Sequence, residues 1–258
     1  MDQRTRALRG ENIALSFGGI KVLRGLSVEF CAGEVTGLIG PNGAGKTSLF
    51  NCLTGAYQPQ GGSITFDGRP LDGLSPASRA SRGVVRSFQT VALCPDLTVV
   101  ENVMMGLARN YHAGWLDALL PLSRGRRETG EMQNAAVEAL ASLGLADARD
   151  LFPQQLPPGM QRLVEIARAI VGKPSVLLLD EPAAGLNNAE TRDLTQTLRR
   201  IASPDLVMVI VEHDMDLVMS LCDRIYVINF GEVVTCGPPE AVRRNENVVS
   251  IYLGSDDD

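Results

Sequence analysis

The chain has 258 residues, 45% of them apolar, which is enough for a substantial core in one large α/β domain or two small ones and excludes a disordered chain. A net charge of −6 and a pI near 5.1 argue against a broad nucleic-acid surface, which needs concentrated lysine and arginine. No apolar run approaches the roughly 18 residues of a spanning helix, and the N-terminus, with Arg4, Arg6 and Arg9 and no apolar block, lacks a secretory signal, so the cytoplasm is the expected location.

Ile13 to Phe17, the turn Gly18-Gly19 and Leu26 to Phe30 read as antiparallel strands joined by turns. Val35 to Ile39 is a short, β-branched stretch that predicts a buried strand, and it runs into Gly40-Pro41-Asn42-Gly43-Ala44-Gly45-Lys46-Thr47, a complete G-x-x-x-x-G-K-[ST] phosphate-binding loop. Glycines let consecutive N–H groups converge on phosphate oxygens, Lys46 reaches the β and γ phosphates, and the Thr47 hydroxyl ligates Mg²⁺. Ser48 to Leu53 continue as a helix closed by Gly55, whose positive end adds to the anion site. Nucleotide binding, with ATP and Mg²⁺ as the cofactors, is the first expectation.

Ser63 to Phe66, followed by Asp67-Gly68, predicts a further strand and tight turn. A segment from about 90 to 172 has helical character instead, opening at Thr98-Val99-Val100-Glu101, a capping-box pattern, and continuing through Glu131 to Leu143. Trp115 to Leu120, inside it, reads as a buried helix contact ahead of a docking face. Strands return at 176–179, 207–211 and 225–228, with a helix over 190–201 between the first two. Continuous apolar strands alternating with helices belong to a parallel sheet covered on both faces. The five cysteines, Cys31, Cys52, Cys94, Cys222 and Cys236, have no paired metal-ligand spacing and suit reduced thiols used as small core hydrophobes.

Asp180 and Glu181 close a buried strand at its carboxyl end, where ligands gather in open α/β sheets. Asp180 is placed to hold Mg²⁺, directly or through water, and Glu181 to orient or deprotonate the water that attacks a γ phosphate. His213 follows the strand 207–211 and is a candidate donor to that phosphate. Taken alone, a structural role for His213, a surface role for Gln89 and a core position for Phe17 are the plainer alternatives.

The order of aromatic residue, phosphate loop, Gln, Gly-containing helix start, Asp-Glu and His resembles the ATP-binding subunits of ABC transporters across essentially the whole chain. Phe17-Gly18-Gly19, Asn51 to Gly55, Val84 to Gln89, Asp180 to Asn187 (DEPAAGLN), Glu212 to Met215 and Tyr252-Leu253-Gly254 make it most similar to the ATPases of branched-chain amino-acid importers. The resemblance implies an α/β P-loop NTPase core with an antiparallel β subdomain (about 1–89 and 173–258) and an inserted helical subdomain (about 90–172), forming one nucleotide-binding domain. It implies an adenine platform at Phe17, a loop at Gln89 that senses Mg²⁺ and the membrane partner, a switch histidine at His213 and an interface loop at Ala184 to Asn187. It also implies the partners: a second ATPase subunit, a different chain ahead of a second copy of this one, in a head-to-tail dimer; transmembrane permease subunits; and, through the complex, an extracytoplasmic solute-binding protein. The expected place is the inner face of the plasma membrane. No nucleic-acid partner is expected, because neither a second nucleotide domain nor a basic insertion is present.

The family's signature, close to Leu-Ser-Gly-Gly-Gln, stands here as Leu156-Pro157-Pro158-Gly159-Met160, and Asn188 takes a place where proline is usual. Pro157 removes a serine hydroxyl and both prolines remove backbone donors, although prolines suit a helix start. Two other readings stay open: a lipopolysaccharide-export-like ATPase, against which DEPAAGLN and Glu212 to Met215 favour import, and a hydrolysis-impaired regulatory or assembly module, which the two prolines favour and Glu181 opposes.

Overall fold

Two strand patterns build two sheets in the computed structural model, which describes residues 6–87, 92–107 and 123–253. In the first, apolar residues alternate with polar ones. Strand β1 (Ala7–Phe17) pairs antiparallel with β2 (Ile20–Cys31), burying Leu23, Leu26, Val28 and Phe30 on one face while their neighbours stay more exposed. Strands β4 (Gly61–Phe66) and β5 (Arg69–Pro70) complete this sheet in the order β2-β1-β4-β5. β1 and β2 exceed their predicted lengths because the alternation continues across irregularities in register near Gly10 to Ile13, where Asn12 takes φ 51°.

In the second sheet the strands are apolar throughout. β3 (Val35–Ile39), β7 (Val176–Asp180) and β8 (Val207–Val211) are buried at every residue, as parallel strands covered on both faces must be. With β6 (Val84–Arg86), β9 (Arg224–Asn229) and the antiparallel edge strand β10 (Glu232–Gly237) they run in the order β10-β9-β3-β8-β7-β6. Neither β6 nor β10 is announced by the sequence: the first is three residues long, and the second is a half-buried edge without a continuous apolar run. Helix α1 (Lys46–Thr54) contributes Leu49, Phe50, Cys52 and Leu53 to one core cluster with residues of both sheets. The short helix α2 (Pro76–Ser81) precedes β6.

By contacts the chain divides into Met1–Arg86, Ser175–Ala184 and Ala202–Asp258 as one compact unit, and Ser87–Pro174 with Gly185–Ile201 as another. The second unit is helical in its described residues. Its α3 (Val99–Met104) starts at the predicted capping box: Thr98 N–H donates to Glu101 Oε2 at 2.8 Å, and Glu101 N–H returns to Thr98 Oγ1 at 3.4 Å. Helices α4 (Ser123–Ser142), α5 (Pro158–Ile170) and α6 (Asn188–Ile201) follow, and the Trp115 stretch lies outside the described residues. The first unit also carries α7 (Met215–Leu221), α8 (Pro239–Arg243) and α9 (Glu246–Leu253). Only Cys52 and Cys222 are buried; Cys31 and Cys94 are half-buried and Cys236 is exposed. The expectation of core thiols is corrected for Cys236, exposed on the edge strand β10, and only partly met by Cys31 and Cys94.

Candidate nucleotide-binding site

Parallel pairing decides what meets at the carboxyl edge of the larger sheet. β3 lies between β8 and β9, and β7 pairs with β8 so that Asp180 stands opposite Val211. The loop after β3, the carboxylates closing β7 and the residues following β8 therefore share one edge. That is the position at which open parallel sheets gather ligands.

The phosphate loop is fixed by positions that admit only glycine. Gly40 has φ 153°, and a Cβ there would stand 2.1 Å from the Ile228 carbonyl oxygen; at Gly45, with φ 105°, it would stand 2.9 Å from Leu23 Cδ2. Gly231 N–H donates to Ala44 O at 3.0 Å, so β2 and the β9–β10 turn brace the loop from beneath. Lys46, buried, donates to Gly40 O at 2.6 Å and to Pro41 O at 3.0 Å. Burial pushes its ammonium below the usual lysine range, while Glu181 and Asp180 pull it back up. Thr47 is exposed at the first turn of α1, and the helix closes on Gly55 in the left-handed conformation as predicted.

Asp180 is almost fully buried, and its Oδ2 is ion-paired with the Arg86 guanidinium at the end of β6. Arg86 also donates to Asn51 Oδ1 on α1 at 2.5 Å. Glu181 N–H donates to Val211 O at 2.8 Å, and its backbone takes φ 46°, a strained value for a residue with a Cβ. Its Oε1 lies 3.3 Å from His213 Nε2, with both side chains partly exposed. Glu212, buried, accepts from the N–H groups of Ala183 at 2.7 Å, His213 at 3.0 Å and Asp214 at 3.4 Å. Burial raises its carboxyl above the usual range, against the three hydrogen bonds that lower it. Glu212 thus ties the turn after Glu181 to the turn carrying His213.

Phe17 is not a core residue. It is 47% exposed at the end of β1 and meets Tyr57 edge to face at 5.2 Å, leaving an aromatic pair open to solvent. Gln89 lies outside the described residues. In the helical unit, Pro157 is the N-cap of α5, with no side-chain cap, and Pro158 is its first residue, so the prolines begin the helix without breaking it. Arg86, Glu212 and Tyr57 were not singled out from sequence. Only Glu212 carried a signal, as a charged residue directly after the buried apolar strand 207–211.

These residues fit a nucleoside triphosphate with Mg²⁺. Gly40, Gly43 and Gly45 form a cradle that side chains would fill or strain, and Lys46 is bonded to backbone carbonyls of its own loop. Thr47 and Asp180 offer hard oxygen donors. Among the described residues no three His, Cys, Asp or Glu side chains cluster as a metal cage.

The profile of the ABC transporter family matches residues 23–184. The high-affinity branched-chain amino acid transport ATP-binding protein LivG of Salmonella typhimurium is 41% identical over 255 residues, covering 98% of this chain and 99% of that one. BraF of Pseudomonas aeruginosa, with the same description, is 40% identical and covers 96% and 97%. Among solved structures, a nucleotide-free ATP-binding cassette from an ABC transporter superposes with a TM-score of 0.83 at 31% identity, covering 96% and 98%. The ADP conformation of such a cassette gives 0.82 at 30% identity, covering 96% and 99%.

Proposed function

Because the chain belongs to the ABC transporter family, we propose that this ATP-hydrolysing subunit drives import of branched-chain or related amino acids. The carrying observation is the convergence of the phosphate loop with Asp180, Glu181 and His213 on one edge of the parallel sheet. As a domain it is one nucleotide-binding unit with a helical subdomain at about 90–172.

Residues 40 to 48 cradle the phosphates, and Lys46 exchanges two backbone carbonyls for phosphate oxygens. Thr47, Asp180 and Gln89 would hold Mg²⁺, which would supply positive charge to offset that of the phosphates. Glu181 orients the attacking water and takes its proton, and His213, whose Nε2 lies beside that carboxylate, turns its N–H to the γ phosphate when nucleotide binds. Phe17, beside Tyr57, offers its ring to adenine. No helix among the described residues is long and apolar enough to cross a membrane, in keeping with a peripheral subunit on the inner face that acts on permease partners and, through them, an extracytoplasmic solute-binding protein.

Lys46→Ala is expected to abolish nucleotide binding. Glu181→Gln should keep binding and lower turnover of the assembled complex by about 10²- to 10⁴-fold, with loss of leucine uptake into vesicles. Uptake and nucleotide affinity that survive Lys46→Ala refute the reading.

The start of α5 favours an asymmetric pair over a homodimer. Pro157 has neither hydroxyl nor N–H and Pro158 no N–H, so this chain brings three fewer donors to a site it completes in its partner, while its own phosphate loop and carboxylates remain whole. Pairing with a different ATPase subunit bearing a serine signature leaves this chain's site as the faster one. A hydrogen bond to a charged group, worth about 1.5–3 kcal/mol, makes the difference roughly ten- to a hundredfold. Glu181→Gln should therefore cost far more turnover than the same change in the partner, and equal losses contradict the asymmetry.

A further inference from the structure

Arg86 has no place in the chemistry assigned so far, yet it joins the two elements that carry Thr47 and Asp180. Its guanidinium pairs with Asp180 Oδ2, donates to Asn51 Oδ1 at 2.5 Å and lies over the Phe50 ring at 5.6 Å. The pair is enclosed, with side-chain exposures of 14% for Arg86 and 2% for Asp180. Asn51 stands one helical turn after Thr47 on α1, on the same face.

We propose that Arg86 is a positioning residue that holds Asp180 in reserve, so that a divalent cation must take the Asp180 carboxylate away from the guanidinium. The inference rests on the reading of Asp180 as a magnesium ligand. The guanidinium is held by Asp180, Asn51 and the Phe50 ring together, so the carboxylate is freed only when a competing cation displaces it. At such burial the guanidinium cancels most of the carboxylate's attraction for a cation, since the pair is poorly screened by water. Asn51 and the Phe50 ring keep the planar fork in register and stop it from swinging away. The arrangement penalises nucleotide that arrives without metal least and makes the gain from metal smaller than an unpaired aspartate would give.

A merely supporting role for Arg86, in which it prearranges Asp180 for the metal, predicts the opposite sign. The test uses the full chain and a fluorescent ATP analogue, titrated in EDTA and across Mg²⁺ concentrations. Arg86→Met is expected to raise the ratio of Kd in EDTA to Kd at saturating Mg²⁺ by about tenfold, the weight of one charge-assisted hydrogen bond, and to lower the Mg²⁺ half-saturation correspondingly. Asn51→Ala, which loosens the guanidinium while leaving the ion pair's partners in place, should shift both quantities the same way by a few-fold, and it carries the test if Arg86→Met does not fold. Arg86→Lys, which retains the charge but loses the planar fork held by Asn51 and Phe50, should fall between wild type and Arg86→Met. An unchanged or lowered ratio in both Arg86→Met and Asn51→Ala overturns the proposal. Failure of the wild-type chain to bind the analogue, or binding that ignores Lys46→Ala, overturns the nucleotide-site reading instead.

Discussion

Gly40→Ala tests how tightly the phosphate loop is built. The added Cβ would stand 2.1 Å from Ile228 O and 3.3 Å from Ala44 Cβ, and bringing the first contact to a tolerable 3.0 Å moves the loop by about 0.9 Å. The obstacle is the backbone of β9, inside the parallel sheet, which has no rotamer with which to yield. A non-glycine residue at this positive φ costs about 1–3 kcal/mol, and the overpacking about 1–3 kcal/mol more. Together they take a large share of the roughly 5–15 kcal/mol that holds a domain folded. Shifting Gly40 O also disturbs the 2.6 Å bond from Lys46, and an ångström of misplacement at a reacting site is worth about 10²-fold. Gly43→Ala is the internal control, because Gly43 has φ 80° but nothing within 4 Å of an added Cβ, leaving only backbone strain of about 1–2 kcal/mol. Urea denaturation should show Gly40→Ala the less stable of the two variants. Equal losses from the two substitutions refute the claim that contact with Ile228 shapes the loop.

Arg79 on α2 is fully buried, and its Nη1 donates to Cys52 O at 2.6 Å and Leu53 O at 2.9 Å, the last carbonyls of α1, while Nε and Nη2 find no partner. Arg79→Ala should lower stability in urea by about 2–4 kcal/mol through a cavity and the loss of the donor to Leu53 O, Cys52 O keeping the Gly55 N–H, and a loss under about 0.5 kcal/mol would show that α1 does not depend on this cap. Glu212, raised above its ordinary value of 4.5 chiefly by burial, favours its protonated form in the fold. The stability linked to it is present below 4.5 and is lost as pH rises through the folded value. Thermal midpoints of Glu212→Gln, measured from pH 4 upward, should lack that decline, and an identical pH slope in wild type and variant contradicts the assignment.

Local spacing in the chain already determined the phosphate loop, the glycine that closes α1, the capping box at Thr98, the buried parallel strands and the carboxylates that end β7. These features are written in consecutive residues because each depends on backbone geometry within a turn or two. Phe17 was ambiguous, since an aromatic in an alternating strand reads the same whether it faces the core or the rim, and only the finished sheet put it outside beside Tyr57. The pairing of Arg86 with Asp180 joins residues 94 apart in sequence, and the three N–H groups around Glu212 belong to two separate turns. Neither arrangement follows from spacing. They exist because β6, β7 and β8 align in one parallel register, and a partner brought in across strands is chosen by the way the sheet packs, with no trace in the residues on either side.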